Sequence, residues 1–236
     1  MSHRDADVVR NEYATESRFL RRRAAFATAS GPSAIDAVFD AVAEAEPRRV
    51  LEVGCGPGEL AERIARDLDA DVVALDQSER MVELTRARGV HAILGDVHEL
   101  PFEDGSFDCA VAAWMLYHVD DLDRGVSELA RVLRPGGRLV ASTNSVRNLG
   151  ELWQLVVRER TAENITFLSE DAEGWLQPHF RSVDRRDVVG TMTFTREQAL
   201  DYIENSIGHE HLASRLPAFD EPLAVTRHMT IFVATK

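Results

Sequence analysis

The chain has 236 residues, of which 44% are hydrophobic and 28% charged, the usual composition of a folded protein. It contains nothing close to the ~20 consecutive apolar residues of a membrane span, and its polar start has no apolar signal-peptide core. Forty acidic residues against 27 basic ones give a net charge of −13, which repels nucleic-acid phosphates. We therefore expect a cytoplasmic protein without membrane or nucleic-acid partners, and either a monomer or a homodimer.

Two local features depart from this average. Residues 1–30 hold six arginines against four acids, and we interpret the run Arg21–Arg23 as the solvated face of a helix. The two cysteines, Cys55 and Cys109, are 54 residues apart and have no clustered histidines. This spacing predicts neither a disulfide framework nor a metal site.

Strand and helix patterns alternate between residues 34 and 143. The predicted helices are 34–45, 60–68, 78–85 and 122–133, and the predicted strands are 50–53, 72–75, 92–94, 107–116 and 138–143. Pro135-Gly136-Gly137 is expected to end the fourth helix. Strands that alternate with helices imply βαβ units, and therefore a twisted parallel sheet with right-handed crossovers.

The pattern changes after residue 144. Helices are predicted at 149–160, 171–180 and 195–207, and strands at 182–194 and 228–236. Neither a repeat nor a Gly/Ser-rich linker divides the chain, so we expect a single domain.

Three glycines, Gly54, Gly56 and Gly58, alternate where the strand 50–53 turns into a helix. Glycines there allow unusual backbone angles and let a ligand lie directly on the main chain. Asp76 ends the next strand, 22 residues after Gly54. A carboxylate at that position can accept hydrogen bonds from both hydroxyls of a ribose, so the pattern predicts a nucleoside site.

The kind of nucleoside follows from the residues around the glycines. The G-x-G-x-x-G fingerprint of NAD-binding proteins is not matched, because Gly58 comes one residue early. Glu52, just before the glycines, would repel a pyrophosphate and attract an ammonium or a sulfonium. The local chemistry favours a cationic nucleoside over NAD.

Four segments between residues 48 and 143 resemble successive motifs of class I S-adenosylmethionine-dependent methyltransferases. They are LEVGCGPG, ALDQS, GDVHELPFEDGSFDCAVAAWMLYHV and ELARVLRPGGRLV. Within that family, the chain is most similar to the small-molecule group around the ubiquinone/menaquinone C-methyltransferases. The resemblance implies S-adenosylmethionine as the cofactor and methyl transfer by in-line displacement.

The resemblance also implies a Rossmann-like α/β fold. Its seven-stranded sheet is mostly parallel with an antiparallel last strand, and helices cover both faces. One methyltransferase domain would then span 1–236. It would comprise a helical cap at 1–30, a cofactor-binding core at 31–143, and substrate-side insertions with closing strands at 144–236.

The cofactor site is carried over from the resemblance residue by residue. One group would line the methionine and ribose: Glu52, Gly54, Cys55 and Gly56. A second group would surround the ribose hydroxyls and the adenine: Asp76, Gln77, Met81, Asp96 and Val97. Asp96 would accept from the adenine amino group, and Ala113 would offer its carbonyl to the cofactor's ammonium. Several relatives have Asn or Ser at Ala112-Ala113, so here that contact rests on the backbone.

The acceptor side is less specified. His118, just past the fourth strand, is the candidate general base, with Asp120 or Asp121 near enough to raise its basicity. The alternative is a structural histidine that fixes this loop. Further aromatic candidates for substrate binding are Tyr13, Tyr117, Trp153 and Tyr202, with His209 and His211 as weaker ones; for each of them ordinary packing or exposure is the alternative.

The leading hypothesis is transfer of a methyl group to an O, N or C atom of a small molecule. An RNA or protein methyltransferase is the first alternative, and the acidic charge and the lack of a basic aromatic tract oppose it. A non-catalytic module that binds S-adenosylmethionine is the second.

Overall fold

The structure is a computed structural model, and it describes residues 17–157 and 166–236 apart from the side chain of Phe19. Within these ranges the α-helices are α1 (Ser17–Ala24), α2 (Ala34–Ala43), α3 (Glu59–Leu68), α4 (Glu79–Ala87), α5 (Leu122–Val132), α6 (Gly150–Val156), α7 (Ala172–Leu176) and α8 (Arg196–Glu204). The strands are β1 (Arg49–Val53), β2 (Asp71–Asp76), β3 (His91–Leu94), β4 (Phe107–Ala113), β5 (Leu133–Asn144), β6 (Ser182–Phe194) and β7 (Leu223–Thr235). Short 3-10 turns lie at Ala25–Thr28, Leu116–His118 and Glu210–Arg215.

The seven strands form one sheet in the order β3-β2-β1-β4-β5-β7-β6. Strands β1 to β5 pair in parallel, and β7 is antiparallel to both β5 and β6. The predicted fold is therefore confirmed. Chain order reverses between β1 and β4, and in open α/β sheets such a reversal marks where ligands bind, at the carboxyl ends of the strands.

Helices cover both faces of the sheet. On one face α5 and α7 bury residues such as Leu129 and Leu176 against the sheet. On the other face α2, α3 and α4 bury Val38, Ile64 and Val82. These two apolar layers hold the carboxyl ends of β1, β2 and β4 rigidly beside one another.

A third apolar cluster lies beyond the end of β5. It is built on the outer halves of β6 and β7, where Phe194 pairs with Leu223. The elements that pack around it are α1, α6, α8 and the turn Glu210–Arg215, which together we name the cap. The cap overhangs the carboxyl edge of the sheet, where insertions build specificity in α/β folds.

Serine and threonine side chains fix the starts of several helices. Ser33 and Ser78 accept from the N–H groups of Asp36 and Met81, and so cap α2 and α4 as their sequences indicate. Thr195 caps α8 with a full capping box: its hydroxyl accepts from the Gln198 N–H, and the Gln198 Oε1 accepts from the Thr195 N–H.

Two predicted boundaries around β4 and β5 are wrong. β4 ends at Ala113, because Trp114 has a φ of 53° and a 3-10 turn follows. Pro135-Gly136-Gly137 does not end the helix: α5 stops at Val132, and the Pro-Gly-Gly segment lies within β5. Gly136 has a φ of 76°, and the register of β5 against β4 shifts beside it.

Elements after residue 144 also differ in length from the predictions. β7 begins at Leu223 instead of 228, because its first half, which has no apolar periodicity, pairs with β6. Helices α6, α7 and α8 are shorter than 149–160, 171–180 and 195–207; residues 158–160 lie outside the described ranges. None of the helices in the described ranges has the length and apolar character to cross a bilayer.

Candidate functional site

The glycine turn between β1 and α3 keeps three left-handed glycines, with φ of 69° at Gly54, 52° at Gly56 and 79° at Gly58. A Cβ on Gly54 would lie 2.7 Å from Met115, and one on Gly58 would lie 2.6 Å from Thr85, so both glycines are required for packing. A Cβ on Gly56 would meet no atom within 4 Å. The middle glycine therefore faces open space, into which a ligand can approach the main chain.

Asp76, the last residue of β2, holds this turn in place. Its Oδ2 accepts from the Gly56 N–H and its Oδ1 from the Ser78 N–H, each at 2.9 Å. Burial raises the pKa of the Asp76 carboxyl, and these N–H donors counter part of that effect. Each carboxylate oxygen has a second lone pair, so Asp76 can accept two further hydrogen bonds from a ribose.

Glu52 is the most unusual ionisable group in the site. It lies on β1 next to Ala74 of β2 and Val111 of β4, and it is 3% exposed. Its Oε2 has no hydrogen-bond partner, while the Ala61 N–H donates to the carboxyl. Burial, and then the charge of Asp76, raise the pKa of Glu52 to about 8.

A buried carboxyl with an orphaned oxygen is costly unless a ligand supplies a cation or a donor. The ammonium and the sulfonium of S-adenosylmethionine are both cations, and its ribose offers donors to Asp76. The residues present at the glycine turn therefore fit this cofactor.

The thiol of Cys55 is also buried here, with its Sγ 3.5 Å from the Thr85 hydroxyl. Burial, together with the charges of Glu52 and Asp76, raises the pKa of this thiol. Cys55 is therefore a neutral packing residue of the turn, which offers no nucleophile.

The residues predicted around the adenine gather at the ends of β2 and β3. Gln77 follows β2, and Met81 is fully buried in the first turn of α4. The Gly95 N–H donates to the Asp76 carbonyl at 3.0 Å, which brings the turn with Asp96 and Val97 beside β2. Val97 is buried, and the Asp96 carboxylate is exposed and accepts from His98.

Ala113 ends β4 in register with Ser142 of β5. The Trp114 N–H donates to the Ser142 carbonyl at 3.0 Å, so the chain turns away immediately after Ala113. The Ser142 Oγ is buried and has no partner. The sequence gives no local signal for this serine, since its position beside Ala113 depends on strand pairing.

His118 and Tyr117 lie in the 3-10 turn Leu116–His118, directly beyond β4. Their rings meet edge to face with centroids 4.5 Å apart. Asp120 lies 3.1 Å from His98, and Asp121 caps α5 by accepting from the Arg124 N–H. These contacts use the Oδ1 of each acid, and the support of His118 by either acid stays a prediction.

The structure brings three of the predicted acceptor residues into one aromatic cluster within the cap. The Trp153 ring lies 5.0 Å from His209 and 6.2 Å from Tyr202, and Tyr202 also contacts Phe194 at 5.6 Å. His211 lies exposed in the 3-10 turn of the cap, and Tyr13 lies outside the described residues. The clustered residues pack against one another in the cap, and their contact with a substrate stays a prediction.

The arginines of α1 form a largely solvated face, as predicted, since the side chains of Arg21 and Arg23 are 64% and 52% exposed. The same arginines also contact other elements. Arg21 pairs with Asp201 at 3.1 Å, and Arg22 donates to the Asn205 carbonyl at 2.7 Å. Arg23 pairs with Glu59, the first residue of α3. These contacts link the cap to the helix after the glycine turn, and since the partners are distant in sequence no local pattern reveals them.

Comparison with known proteins identifies the family. A methyltransferase domain profile matches residues 51–141. The 27-O-demethylrifamycin SV methyltransferase of Amycolatopsis mediterranei is 31% identical over 204 residues, which cover 73% of this chain and 72% of that protein. The chain belongs to the class I S-adenosylmethionine-dependent methyltransferases. Its cofactor is S-adenosylmethionine.

Two further relatives show the breadth of the family. The malonyl-[acyl-carrier protein] O-methyltransferase of Serratia marcescens is 35% identical over 117 residues, 48% of this chain and 46% of that protein. The chain spans about half the length, or less, of the other curated relatives it matches. Among solved structures, the [4+2]-cyclase SpnF aligns with a TM-score of 0.67 over 99% of this chain and 97% of its own, at 21% identity, which shows the shared fold alone.

Proposed function

We propose that this methyltransferase acts on an oxygen atom of a small-molecule acceptor. On the cofactor side the proposal is supported by the buried Glu52 carboxyl, whose Oε2 has no partner, and by the open face of Gly56. The names of two relatives, the 27-O-demethylrifamycin SV methyltransferase and the malonyl-[acyl-carrier protein] O-methyltransferase, favour oxygen. The acidic net charge of −13 disfavours an RNA acceptor.

When bound, S-adenosylmethionine supplies a methyl carbon that its sulfonium activates for in-line displacement. In this proposal Glu52 and the Ala113 carbonyl attract the cofactor's ammonium, while Gly54, Cys55 and Gly56 form the surface under its ribose and methionine. Asp76 accepts hydrogen bonds from the ribose hydroxyls while its Oδ2 still accepts from the Gly56 N–H.

The adenine would lie at the ends of β2 and β3, against Gln77, Met81, Val97 and Asp96. Asp96 accepts from its amino group, and the Val97 N–H donates to a ring nitrogen. The exposed carboxylate of Asp96 supports this assignment, because it reaches solvent at the edge of the sheet where the purine would end.

The acceptor would approach between the cap and the turn after β4. His118 then takes the hydroxyl proton as the oxygen attacks the methyl carbon, and Tyr117 contacts the acceptor. Most of the rate comes from alignment and exclusion of water, since the leaving sulfur is already positively charged. We propose that 1–236 works as one domain in which the cap, with Trp153 and Tyr202 in its interior, closes the acceptor side.

The direct test is transfer of label from methyl-labelled S-adenosylmethionine to a panel of hydroxyl- and carboxyl-bearing small molecules. We expect an ester or ether product and one S-adenosylhomocysteine for each methyl group transferred. The Asp76→Ala variant is the matched control. Label recovered in RNA or protein instead, or cofactor binding without turnover, would refute the proposal.

A further inference from the structure

Beside Asp96 the surface opens into a polar cavity of about 330 Å³. Its lining comes from the turn after β3, the segment before α5, and α5 itself: Asp96, His98, Glu99, Asp120, Asp121 and Arg124. His98 connects two of these walls, and neither the family motifs nor the proposed function gives it a role.

The imidazole of His98 lies between two carboxylates. Its Nδ1 is hydrogen-bonded to the Asp96 Oδ1 at 2.6 Å, whereas its Nε2 lies 3.1 Å from the Asp120 Oδ1 without forming a hydrogen bond. The side chain of His98 is 21% exposed, whereas those of Asp96 and Asp120 are 64% and 62% exposed. The His98 ring is therefore more restrained than the carboxylates of Asp96 and Asp120, which would rotate freely in solvent without it.

The backbone of the same residue adds two further contacts. The His98 N–H donates to the Asp96 Oδ1 at 2.9 Å, and the His98 carbonyl accepts from the Arg124 Nε at 2.8 Å. Every described hydrogen bond to the Asp96 carboxylate ends on Oδ1. Two donors on one oxygen fix the direction of the other, so Oδ2 is held as an oriented acceptor.

We propose that His98 is a positioning residue for recognition of the adenine. By holding the Oδ1 of Asp96 it aims Oδ2 at the amino group of the purine, and through its carbonyl, which accepts from Arg124, it ties this turn to α5. This inference rests on the proposed role of Asp96. It adds His98 as the residue that makes Asp96 selective for the amino group of the purine.

A selective Asp96 rejects a purine that lacks the amino group, because a carbonyl oxygen in its place faces a carboxylate oxygen and neither can donate. The readout is therefore the ratio of two dissociation constants, for S-adenosylhomocysteine and for S-inosylhomocysteine, in which a carbonyl replaces the amino group. Sites built to hydrogen-bond a ligand group discriminate strongly against analogues without it. We expect wild-type protein to prefer S-adenosylhomocysteine by roughly 10-fold or more.

Three substitutions at one position separate the two contacts of the ring. His98→Ala removes both and should lower the ratio several-fold; some preference stays, because the Val97 N–H still faces the N1–H of the hypoxanthine ring. In His98→Asn the side-chain amide nitrogen takes the place of Nδ1, so the ratio should stay near the wild-type value. In His98→Gln the amide nitrogen takes the place of Nε2 instead, so the ratio should fall as it does in His98→Ala.

The matched control is His179→Ala. His179 pairs with Asp123 at 2.9 Å, a similar histidine–aspartate contact whose residues do not line the cavity. This variant should keep the full ratio. Calorimetry with both ligands on the whole chain gives all the constants, and melting temperatures show which variants are folded.

The outcomes separate this inference from the proposed function. An unchanged ratio in His98→Ala, whether or not both ligands bind more weakly, would overturn the positioning role. Loss of the ratio in His98→Asn with the fold intact would overturn it as well. Wild-type protein that binds both ligands equally would overturn the role of Asp96 as well. Failure of wild-type protein to bind S-adenosylhomocysteine at all would overturn the proposed function and this inference together.

Discussion

Binding of the cofactor should release a proton from Glu52. In the ligand-free protein burial and the neighbouring Asp76 raise the pKa of Glu52 to about 8, so at pH 7 its carboxyl is mostly protonated. A cationic ammonium or sulfonium beside this carboxyl favours its charged form and lowers the pKa of Glu52 towards 4.5, the usual value of a glutamate. At pH 7 this change amounts to the release of about 0.9 proton per cofactor bound.

Calorimetry at pH 7 in two buffers with different ionisation enthalpies measures that proton. The difference between the two apparent binding enthalpies should correspond to nearly one proton for S-adenosylmethionine in wild-type protein. It should be much smaller for adenosine, which has no ammonium or sulfonium, and for the Glu52→Gln variant. Wild-type protein and Glu52→Gln that release the same number of protons would refute the reasoning.

The same carboxyl makes the stability of the ligand-free protein depend on pH. Because the folded-state pKa is raised, the contribution of Glu52 is fully present below about pH 4.5 and is lost as pH rises towards about 8. In Glu52→Gln residue 52 carries no ionisable group. The melting temperature of this variant, relative to that of wild type, should therefore rise as pH increases from 5 to 9. Parallel melting curves at both pH values would contradict the assigned pKa.

Three other variants test the rest of the site. Asp76→Ala should weaken S-adenosylhomocysteine binding by about 10-fold or more, because each charge-assisted hydrogen bond contributes ~1.5–3 kcal/mol; an unchanged calorimetric Kd would contradict the ribose assignment. Gly58→Ala should lower the melting temperature, because its Cβ would meet Thr85 at 2.6 Å, whereas Gly56→Ala should affect cofactor affinity more than folding; thermal melts and calorimetry on both variants check this contrast. His118→Ala should lower kcat by roughly 10²–10⁴ with the cofactor Kd unchanged, and an intact single-turnover rate would exclude His118 as the base.

The cofactor half of the site could be predicted because its signals are local. Gly54, Gly56 and Gly58 sit in one turn, and Asp76 ends the next strand of the same βαβ unit. A left-handed backbone and a carboxylate at the end of a parallel strand both leave a signal in the sequence, and the residues that carry it lie within about twenty positions of one another. Glu52 belongs to the same segment, although its orphaned oxygen is visible only once β1 is paired with β2 and β4.

The arrangement of the cap could not be predicted, because it depends on long-range contacts. Arg18 contacts Glu210 across 192 residues, and Trp153 meets Tyr202 and His209 only after α6 and α8 have folded onto the ends of β6 and β7. The first half of β7 carries Thr226, Arg227 and His228, so strand pairing defines it and apolar periodicity does not. The engagement of Asp120 with His98 likewise follows from tertiary contact.

We expect S-adenosylmethionine to bind over the glycine turn, held by Asp76 and Glu52. A crystal structure of the complex with S-adenosylhomocysteine tests it most directly. We predict both ribose hydroxyls within hydrogen-bond distance of the Asp76 carboxylate, the cofactor's ammonium on the side of Glu52 and Ala113, and the purine amino group at the Asp96 Oδ2. A ligand bound away from the glycine turn, or one whose ribose contacts neither oxygen of Asp76, would contradict the account.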